Sequence, residues 1–286
     1  MLIIGCGDVG LRVAAMLPPH MRVLALTSSA ARAPELRARG IVPLVGNLDT
    51  AASLGRLAGL APRVLHLAPP PGEGRGDPRT RNLTRTLLRR GATAALVYGS
   101  TSGVYGDCGG AMVRETRAVA PGTQRAMRRT DAEATVRHFA RIGHARASIL
   151  RIPGIYAPDR EGGTPRERLQ RATPVLHADD DVYTNHVHAD DLARACIAAL
   201  WRGATQRVYN VNDDSVLKMG DYFDLAADLY GMPRPPRIAR DAATGQLPLS
   251  LLSFMSESRR MDNARMKREL CLRLRYPTVR EGLRVS

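Results

Sequence analysis

The amino-acid sequence predicts an α/β fold in which a doubly wound parallel sheet carries helices on both faces. Apolar, β-rich runs alternate with helical patterns through the first half of the 286-residue chain, as expected of repeated strand–helix–strand units. The first apolar run, residues 2–4, leads directly into a glycine-rich turn and a helical pattern. Residues from about 157 to 183 are instead rich in Gly, Pro, Arg and Asp with little periodicity, which predicts an excursion from the sheet.

Apolar runs and helix-ending residues place the elements in order along the chain. Pro18 and Pro19 end the first helical pattern, Gly40 ends the second and Gly91 ends the third, because proline and glycine terminate helices. Strands are predicted at residues 2–4, 22–26, 41–45, 63–67, 95–99, 147–152 and 207–211. Helices are predicted at residues 10–16, 30–39, 79–90, 123–142 and 189–201, and the chain beyond residue 212 is expected to be helical and interrupted by prolines.

The order of these elements predicts two structural units. Residues 1–156 together with 184–211 contain the predicted strands and are expected to form a sheet domain. Residues 157–183 together with 212–286 are expected to form a smaller, mostly C-terminal lobe that binds substrate.

The composition is that of a soluble globular protein, with 44% hydrophobic residues. No apolar run approaches the roughly 18 residues that a membrane helix needs, and the N-terminus has no basic region or cleavage site. The four cysteines show no C-x-x-C spacing, which favours free thiols in a reducing compartment. We therefore expect a cytoplasmic protein without a membrane partner, with a homodimer left open.

The formal net charge of +15 raises the question of nucleic-acid binding. Lys218 and Lys267 are the only lysines, and the remaining basic residues are arginines spread along the whole chain. Proteins that read nucleic acids more often cluster their charge on one helix or arm. The pattern is instead typical of codon bias in a GC-rich bacterial genome, so no nucleic-acid partner is expected.

The turn after the first strand has the Gly-x-Gly-x-x-Gly spacing of a dinucleotide-binding loop. Gly5 would permit the tight turn, Gly7 would let the backbone approach a pyrophosphate, and Gly10 would let the helix pack closely on the strand. Asp8 and Val9 lie between Gly7 and Gly10, directly before the predicted helix whose N-terminus would meet the phosphates. The sequence thus predicts a Rossmann-type NAD(P) site; a glycine turn without a ligand is the alternative.

The end of the second predicted strand indicates which dinucleotide is preferred. An NAD-specific site usually has an acidic residue there to bind the ribose hydroxyls. This chain has Thr27 and Ser28, with Arg32 close by and no carboxylate before Glu35. Small hydroxyl side chains and an arginine suit a ribose 2′-phosphate, so NADP(H) is predicted over NAD(H).

The segment Ser-Thr-Ser-Gly-Val-Tyr-Gly at residues 100–106 resembles the serine/threonine catalytic segment of the extended short-chain dehydrogenase/reductase family. This family includes NAD(P)-dependent epimerases and dehydratases of nucleotide sugars. Residues 150–158, 188–193 and 209–211 resemble later segments of the same family in order and spacing. The resemblance implies a Rossmann-type fold, an NAD(P)-dependent oxidoreductase or epimerase activity, and a nucleotide sugar or related anionic substrate.

The same resemblance assigns roles to individual residues. Thr101 would hold a substrate oxygen or the nicotinamide side of the site, and Tyr105 would lie beside the substrate pocket. Further residues implied to contact the cofactor are Asn47, Leu48, Leu67, Ala68, Pro69 and Pro153. His66, inside an apolar strand, is interpreted as either a catalytic base or a packed core residue, and the latter is the more common role of such a histidine.

The chain departs from the family at the residues that transfer the proton. The family carries a Tyr-x-x-x-Lys pair where this chain has Arg125 and Arg129, with Glu133 in the place of a following glutamate. Arginine remains protonated in proteins, so Arg125 cannot serve as the acid/base. Arg129 could still donate hydrogen bonds to the nicotinamide ribose in place of the lysine.

Two functions remain open at this point. In the first, the protein is an enzyme of an atypical branch, in which Tyr105, Tyr156 or water carries the proton and Arg125 stabilises an anionic substrate or oxyanion. In the second, it binds NADP(H) without turnover, as a sensor or interaction protein. The histidines His186 and His188 are interpreted as part of a strand and helix cap, and no metal is expected. Arginines in and around the excursion, namely Arg151, Arg160, Arg166 and Arg168, favour an anionic substrate.

Overall fold

The computed structural model describes residues 1–284, and its elements follow the predicted order. Its strands are β1 (Leu2–Ile4), β2 (Leu24–Thr27), β3 (Val42–Val45), β4 (Arg63–His66), β5 (Ala95–Thr101), β6 (Met112–Val113), β7 (Arg146–Ile152), β8 (Gly154–Tyr156), β9 (Val175–Leu176), β10 (Tyr183–Thr184), β11 (His186–His188), β12 (Arg207–Asn210), β13 (Leu217–Lys218), β14 (Arg237–Ile238) and β15 (Arg260–Met261). Its α-helices are α1 (Asp8–Met16), α2 (Ala33–Ala38), α3 (Pro78–Leu88), α4 (Gln124–Ile142), α5 (Arg166–Gln170), α6 (Ala189–Arg202), α7 (Met219–Tyr230), α8 (Arg240–Gln246), α9 (Leu249–Met255), α10 (Ala264–Glu269) and α11 (Val279–Leu283). Short 3₁₀ helices span Ala30–Arg32, Ala51–Leu57 and Ser102–Tyr105.

The central sheet has seven parallel strands in the order β12-β7-β5-β4-β1-β2-β3. Strand β1 pairs with β2 on one side and with β4 on the other, so the order of the strands reverses at β1. The predicted α/β fold with a doubly wound parallel sheet is confirmed. A reversal of this kind leaves a crevice at the carboxyl ends of the strands, where doubly wound folds bind their ligands.

Alternate side chains of each strand pack into two apolar clusters, one on each face of the sheet. In β1, Ile3 joins one cluster, whereas Leu2 and Ile4 join the other. The first cluster is covered by α1, α2 and α6, and the second by α3, α4 and the 3₁₀ helix Ala51–Leu57. This alternation has the period of two expected for strands that are buried on both faces.

A third apolar cluster lies in the smaller, mostly C-terminal part of the chain. It draws on two stretches, 156–182 and 219–283, and contains the aromatic residues Tyr156, Tyr222 and Phe223. Not all residues after β15 belong to this third cluster, because Met266 and Leu270 pack into the first cluster, on one face of the sheet. The exact division at residues 156/157 and 211/212 stays a prediction.

Two negative observations concern the described residues 1–284. No helix there combines the length and the apolar character that crossing a membrane requires. Over the same residues, no group of three or more His, Cys, Asp or Glu side chains is arranged to hold a metal ion. The four cysteines are free thiols, of which Cys6 and Cys196 are buried.

Candidate functional site

A cleft of about 260 Å³ opens at the carboxyl edge of the sheet, next to the point where the strand order reverses. It brings together ten residues that the sequence predicted for the site: Gly5, Gly7, Asp8, Val9, Gly10, Leu67, Thr101, Arg125, Arg129 and Pro153. Six further residues line the same cleft, namely Gly99, Ser100, Ile152, Ile155, Leu192 and Arg160, of which Arg160 was expected from the sequence to favour an anionic substrate. The site therefore joins the first strand–helix turn to the ends of β5 and β7.

The glycine loop has the geometry that a pyrophosphate requires. Gly5 has a φ of +86°, and a Cβ atom at this position would lie 2.4 Å from the backbone nitrogen of Ala68, so a larger residue is excluded. A Cβ atom at Gly10 would lie 3.2 Å from the carbonyl oxygen of Gly5, which keeps α1 close to β1. At Gly7, by contrast, a Cβ atom would meet no atom within 4 Å. The space beside Gly7 is thus open at the N-terminus of α1, and the residues present fit a dinucleotide.

Charged side chains surround the N-terminus of α1. Asp8 pairs with Arg12 at 3.1 Å and with Arg160 at 3.4 Å. Arg12 also binds Asp159 at 2.7 Å and Asp190 at 2.6 Å, and it is largely buried. Burial disfavours the charge on Arg12, but the hydrogen bonds to Asp159 and Asp190 outweigh it and hold its pKa above the ordinary arginine value. Arg12 therefore remains a fixed cation that ties α1 to the loop after β8 and to α6.

Arg32 stands between the glycine loop and the end of β2, although it does not line the cleft. Its Nη1 atom donates to the carbonyl oxygen of Cys6 at 3.0 Å, and its Nε atom pairs with Glu35 at 3.1 Å. Thr27 is buried, with its hydroxyl oxygen accepting from the backbone nitrogen of Ser29 at 3.2 Å, whereas Ser28 is exposed. The guanidinium of Arg32 is thus held next to the position where the sequence predicts a ribose.

Four predicted cofactor residues lie along the neighbouring strand ends and do not line the cleft. Asn47 is exposed, and its Oδ1 atom accepts a hydrogen bond from the backbone nitrogen of Asp49 at 3.0 Å. Leu48 is buried in the second cluster. Ala68 contacts Gly5 through its backbone, and Pro69 is exposed. Whether these residues reach a bound dinucleotide stays a prediction.

Arg129 and Arg125 line the same cleft as the glycine loop. Arg129 donates from Nη1 to the carbonyl oxygen of Gly99 at 2.7 Å and to the hydroxyl of Tyr98 at 3.1 Å. Arg125 lies near the exposed Phe254, with 5.7 Å between its Cζ atom and the centre of that ring. Burial, together with the positive charges of Arg129 and Arg128, lowers the pKa of Arg125, but a guanidinium still stays protonated near neutral pH.

The structure does not bring the two candidate tyrosines into the cleft. Tyr105 is 1% exposed, and its hydroxyl donates to Oδ1 of Asn210 at 2.7 Å. Tyr156 is 2% exposed, and its hydroxyl donates to the carbonyl oxygen of Thr278 at 3.3 Å. Burial raises the pKa of both hydroxyls. The expected placement of Tyr105 beside the substrate pocket is therefore corrected, because a partner distant in the sequence holds it in the core.

Thr101 lines the cleft at the end of β5. Its Oγ1 atom accepts a hydrogen bond from the backbone nitrogen of Gly103 at 3.3 Å, which starts the 3₁₀ helix Ser102–Tyr105. The hydroxyl can still donate its own proton, because a threonine oxygen is both donor and acceptor. Thr101 is therefore able to hold an oxygen atom of a substrate.

A buried ionic network that the sequence did not predict fixes the wall of the cleft. The hydroxyl of Ser100 donates to Oε1 of Glu133 at 2.7 Å, and Arg151 binds the same carboxylate at 3.1 and 2.8 Å. These residues lie on β5, α4 and β7, so the network joins three elements. Arg151 is 2% exposed and committed to Glu133, which corrects the expectation that it favours an anionic substrate. The sequence feature that could have indicated this contact is Glu133, which stands in the place of a glutamate of the resembled family.

The histidines singled out in the sequence are packed in the interior. His66 is 1% exposed, with 2.9 Å between its Nε2 atom and the hydroxyl of Thr80, and burial lowers its pKa to about 3. His186 stacks on Tyr222 with ring centres 4.2 Å apart, and burial lowers its pKa to about 4. Neutral, buried rings of this kind match the packed interpretation of His66.

A second and wider groove, of about 630 Å³, runs along α7 in the smaller lobe. Its walls carry four aspartates and two arginines, namely Asp214, Asp221, Asp224, Asp228, Arg234 and Arg280. It has no glycine loop, and its acidic walls would repel a phosphate. Size alone does not make a dinucleotide site, so we place the candidate site at the edge of the sheet.

Comparisons with known proteins bear on the family and on the fold. The model of the NAD dependent epimerase/dehydratase family matches residues 79–212, which confirms the family resemblance predicted from the sequence. A functionally unknown conserved protein from Silicibacter pomeroyi is similar at 29% identity and a TM-score of 0.82, covering 99% of this chain and 96% of that one. No curated protein matches the chain.

Solved epimerase structures share the fold at lower identity. UDP-glucose 4-epimerase from Thermotoga maritima, solved with UDP-glucose, has 19% identity and a TM-score of 0.79, covering 99% of this chain and 96% of that one. UDP-glucuronic acid 4-epimerase from Bacillus cereus, solved with NAD, has 17% identity and a TM-score of 0.77, covering 100% of this chain and 96% of that one. At such identities the likeness concerns the fold.

Proposed function

Since residues 79–212 match the NAD dependent epimerase/dehydratase family, we propose that the protein binds NAD(P)(H) in the cleft at the sheet edge and prefers NADP(H). The observation that carries this proposal is the open space beside Gly7, between the positive φ of Gly5 and the N-terminus of α1. Phosphate oxygens would accept hydrogen bonds from the amides there and would be favoured by the helix dipole.

The preference for NADP(H) rests on the surroundings of Arg32. The end of β2 offers the exposed Ser28 and the guanidinium of Arg32, which is already held beside the glycine loop by the carbonyl of Cys6. Glu35 neutralises Arg32 in part, and their hydrogen bond lowers the pKa of the glutamate. A 2′-phosphate would replace Glu35 as the partner of Arg32, whereas a bare ribose diol would not.

Thr101, Arg125 and Arg129, which line the cleft together, support an atypical oxidoreductase or epimerase acting on an anionic substrate such as a nucleotide sugar. When bound, the nicotinamide would supply hydride transfer. Thr101 would hold the substrate oxygen, Arg129 would orient the ribose from its anchor on Gly99, and Arg125 would stabilise negative charge. The residues described as lining the cleft include no tyrosine, so a water molecule is the proton carrier that this arrangement favours.

A second candidate function is dinucleotide binding without turnover. The replacement of the acid by Arg125 and the burial of Tyr105 and Tyr156 favour it. Loss of an aligned acid typically lowers a rate by about 10²- to 10⁴-fold. Single-turnover reduction of bound NADP⁺ in the presence of UDP-sugars separates the two, because a sensor would give no reduced nicotinamide signal over hours.

The binding proposal is tested with a substitution at Gly7. Gly7 has an extended backbone with φ of −87°, and a side chain there meets no protein atom, so Gly7→Val should fold. Its methyl groups would occupy the space for the pyrophosphate and weaken NADPH binding by about 100-fold or more. Gly72→Val, in an open surface loop, is the matched control. Fluorescence titration with NADPH and NADH measures both affinities, and equal binding by Gly7→Val and the wild type would refute the site.

A further inference from the structure

A closed turn follows β8 and contacts α1 through the ion pairs of Asp159 with Arg12 and of Arg160 with Asp8. The backbone nitrogen of Ala157 donates to the carbonyl oxygen of Gly163 at 3.1 Å, and the nitrogen of Gly163 donates to the oxygen of Arg160 at 2.9 Å. A Cβ atom at Gly163 would lie 2.5 Å from the oxygen of Ala157, so the turn requires glycine at this position. The turn has a defined shape and presents Asp159 and Arg160 towards α1.

Two ion pairs of unequal length join this turn to α1. Arg12 binds Asp159 at 2.7 Å and Asp190 at 2.6 Å; the side chain of Arg12 is 14% exposed and that of Asp159 is 70% exposed, so this pair is shorter but only half-buried. The adjacent pair, between Arg160 and Asp8, is longer at 3.4 Å, and both side chains are about 30% exposed. Long, solvated pairs contribute little free energy. Arg160 can therefore change partner while the pair of Arg12 and Asp159 keeps the turn in place.

The position of Asp8 makes such a change of partner useful. Asp8 is the first residue of α1 and lines the cleft with Gly5 and Gly7, where the phosphates would lie. A carboxylate there repels a pyrophosphate and competes for any cation nearby. Arg160 lines the same cleft and pairs with Asp8, and its guanidinium can bind phosphate oxygens in a bidentate manner.

We propose that Arg160 is a pyrophosphate ligand that pairs with Asp8 in the free protein and transfers to the dinucleotide when it binds. Asp8 is then an internal competitor that lowers the affinity of the site. The inference rests on the proposed function, because it needs a dinucleotide at the glycine loop. It predicts an equal effect on NAD(H) and NADP(H), since both carry the same pyrophosphate.

The test measures dissociation constants for NADH and NADPH by fluorescence titration of the full chain. Arg160→Ala should weaken both by about tenfold or more and by the same factor, whereas Arg160→Lys should retain part of the affinity. Asp8→Asn should strengthen both several-fold, and Arg12 keeps two other carboxylates in that variant. Arg32→Ala, in contrast, should weaken the binding of NADPH and leave the binding of NADH unchanged. Arg171→Ala, on an exposed arginine paired with Glu167, is the control for lost positive charge.

The outcomes separate the two proposals. Binding of both dinucleotides by the wild type, with unchanged affinities in Arg160→Ala, overturns the role of Arg160 and leaves the site intact. A loss confined to NADPH in that variant also overturns it, because the 2′-phosphate would then be the partner. A decrease of affinity in Asp8→Asn contradicts the competition, and this variant decides the matter if Arg160→Ala fails to fold. If the wild type binds neither dinucleotide, both proposals fall.

Discussion

Arg129 donates a hydrogen bond of 2.7 Å to the carbonyl oxygen of Gly99, at the carboxyl end of β5 and on the wall of the cleft. A second hydrogen bond to the hydroxyl of Tyr98 holds the same guanidinium nitrogen. A guanidinium has five N–H donors, so several remain to face a ligand. The contact gives Arg129 the fixed orientation that a positioning residue needs at the place where the resembled family has lysine.

The first prediction concerns this anchored guanidinium. Arg129→Ala should raise the dissociation constant for NADPH by about tenfold, because a charge-assisted hydrogen bond to the ribose is lost. Isothermal titration measures the change. Arg89→Ala, on an exposed arginine after α3, should bind as the wild type does. An unchanged dissociation constant in Arg129→Ala would place the arginine outside the binding site.

The second prediction restores the missing acid. The double substitution Arg125→Tyr with Arg129→Lys recreates the tyrosine–lysine pair on α4, in which the lysine lowers the pKa of the tyrosine. If Thr101 and the cleft are otherwise competent, single-turnover reduction of NADP⁺ by a UDP-sugar should rise by about 10²-fold or more. The pair Arg125→Phe with Arg129→Lys is the control without a hydroxyl. Equal rates for the two variants would show that the cleft does not present a substrate to residue 125.

The third prediction concerns the buried pair of Glu133 and Arg151. Glu133→Ala should lower the free energy of unfolding by about 3 to 5 kcal/mol, because it leaves the charge of Arg151 buried without its partner. Glu167→Ala, which breaks the exposed pair with Arg171, should cost less than about 1 kcal/mol. Urea denaturation measures both. A loss at Glu133 no larger than that at Glu167 would contradict the structural role of the network.

The fourth prediction is a pH dependence set by Asp213. Burial raises the pKa of this carboxyl to about 8, although the backbone nitrogen of Ser215 donates to it at 3.0 Å. From about pH 4 to pH 8 the folded protein keeps a proton that the unfolded chain has released, so this group makes the free energy of unfolding fall as the pH rises. Asp213→Asn should remove that fall and stabilise the protein at pH 7 by about 2 to 4 kcal/mol.

The control for this prediction is Asp179→Asn, at an exposed aspartate, which should leave the pH profile of the wild type unchanged. Chemical denaturation between pH 5 and pH 8 gives the profiles. If the Asp213→Asn variant is less stable than the wild type and its free energy of unfolding falls with pH as steeply, Asp213 is ionised in the folded protein.

The sequence predicted the sheet and the glycine loop well because both follow from local rules. The run Leu2–Ile4 is apolar at every position because both faces of β1 are buried. Gly5 is needed because a Cβ atom there would collide with the backbone of Ala68, and Gly10 lies where a Cβ atom would approach the carbonyl oxygen of Gly5 to 3.2 Å. The same Gly-x-Gly-x-x-Gly spacing also predicted that a helix begins at this turn, as α1 does. Local patterns of this kind are visible without any knowledge of distant contacts.

The charged contacts of the site could not be predicted in the same way. The pair of Arg12 and Asp159 joins residues 147 positions apart, and the chain has so many arginines that no pattern marks which one binds which carboxylate. The burial of Tyr105 depends on Asn210, a partner 105 positions away. Pairings between distant residues are decided by tertiary packing, which also explains why Tyr105 was expected in the wrong place.

The network of Ser100, Glu133 and Arg151 attaches α4 to the sheet through Glu133, whereas the side chains of α4 that line the cleft belong to Arg125 and Arg129. It fastens the helix to β5 and β7 through residues that lie beyond positions 125 and 129. Substitutions at those two positions leave this network in place, although exchange of Arg129 also removes its hydrogen bonds to Gly99 and Tyr98. Position 125 takes no part in the network, so directed evolution of new reactions can begin there with the buried attachment of α4 retained.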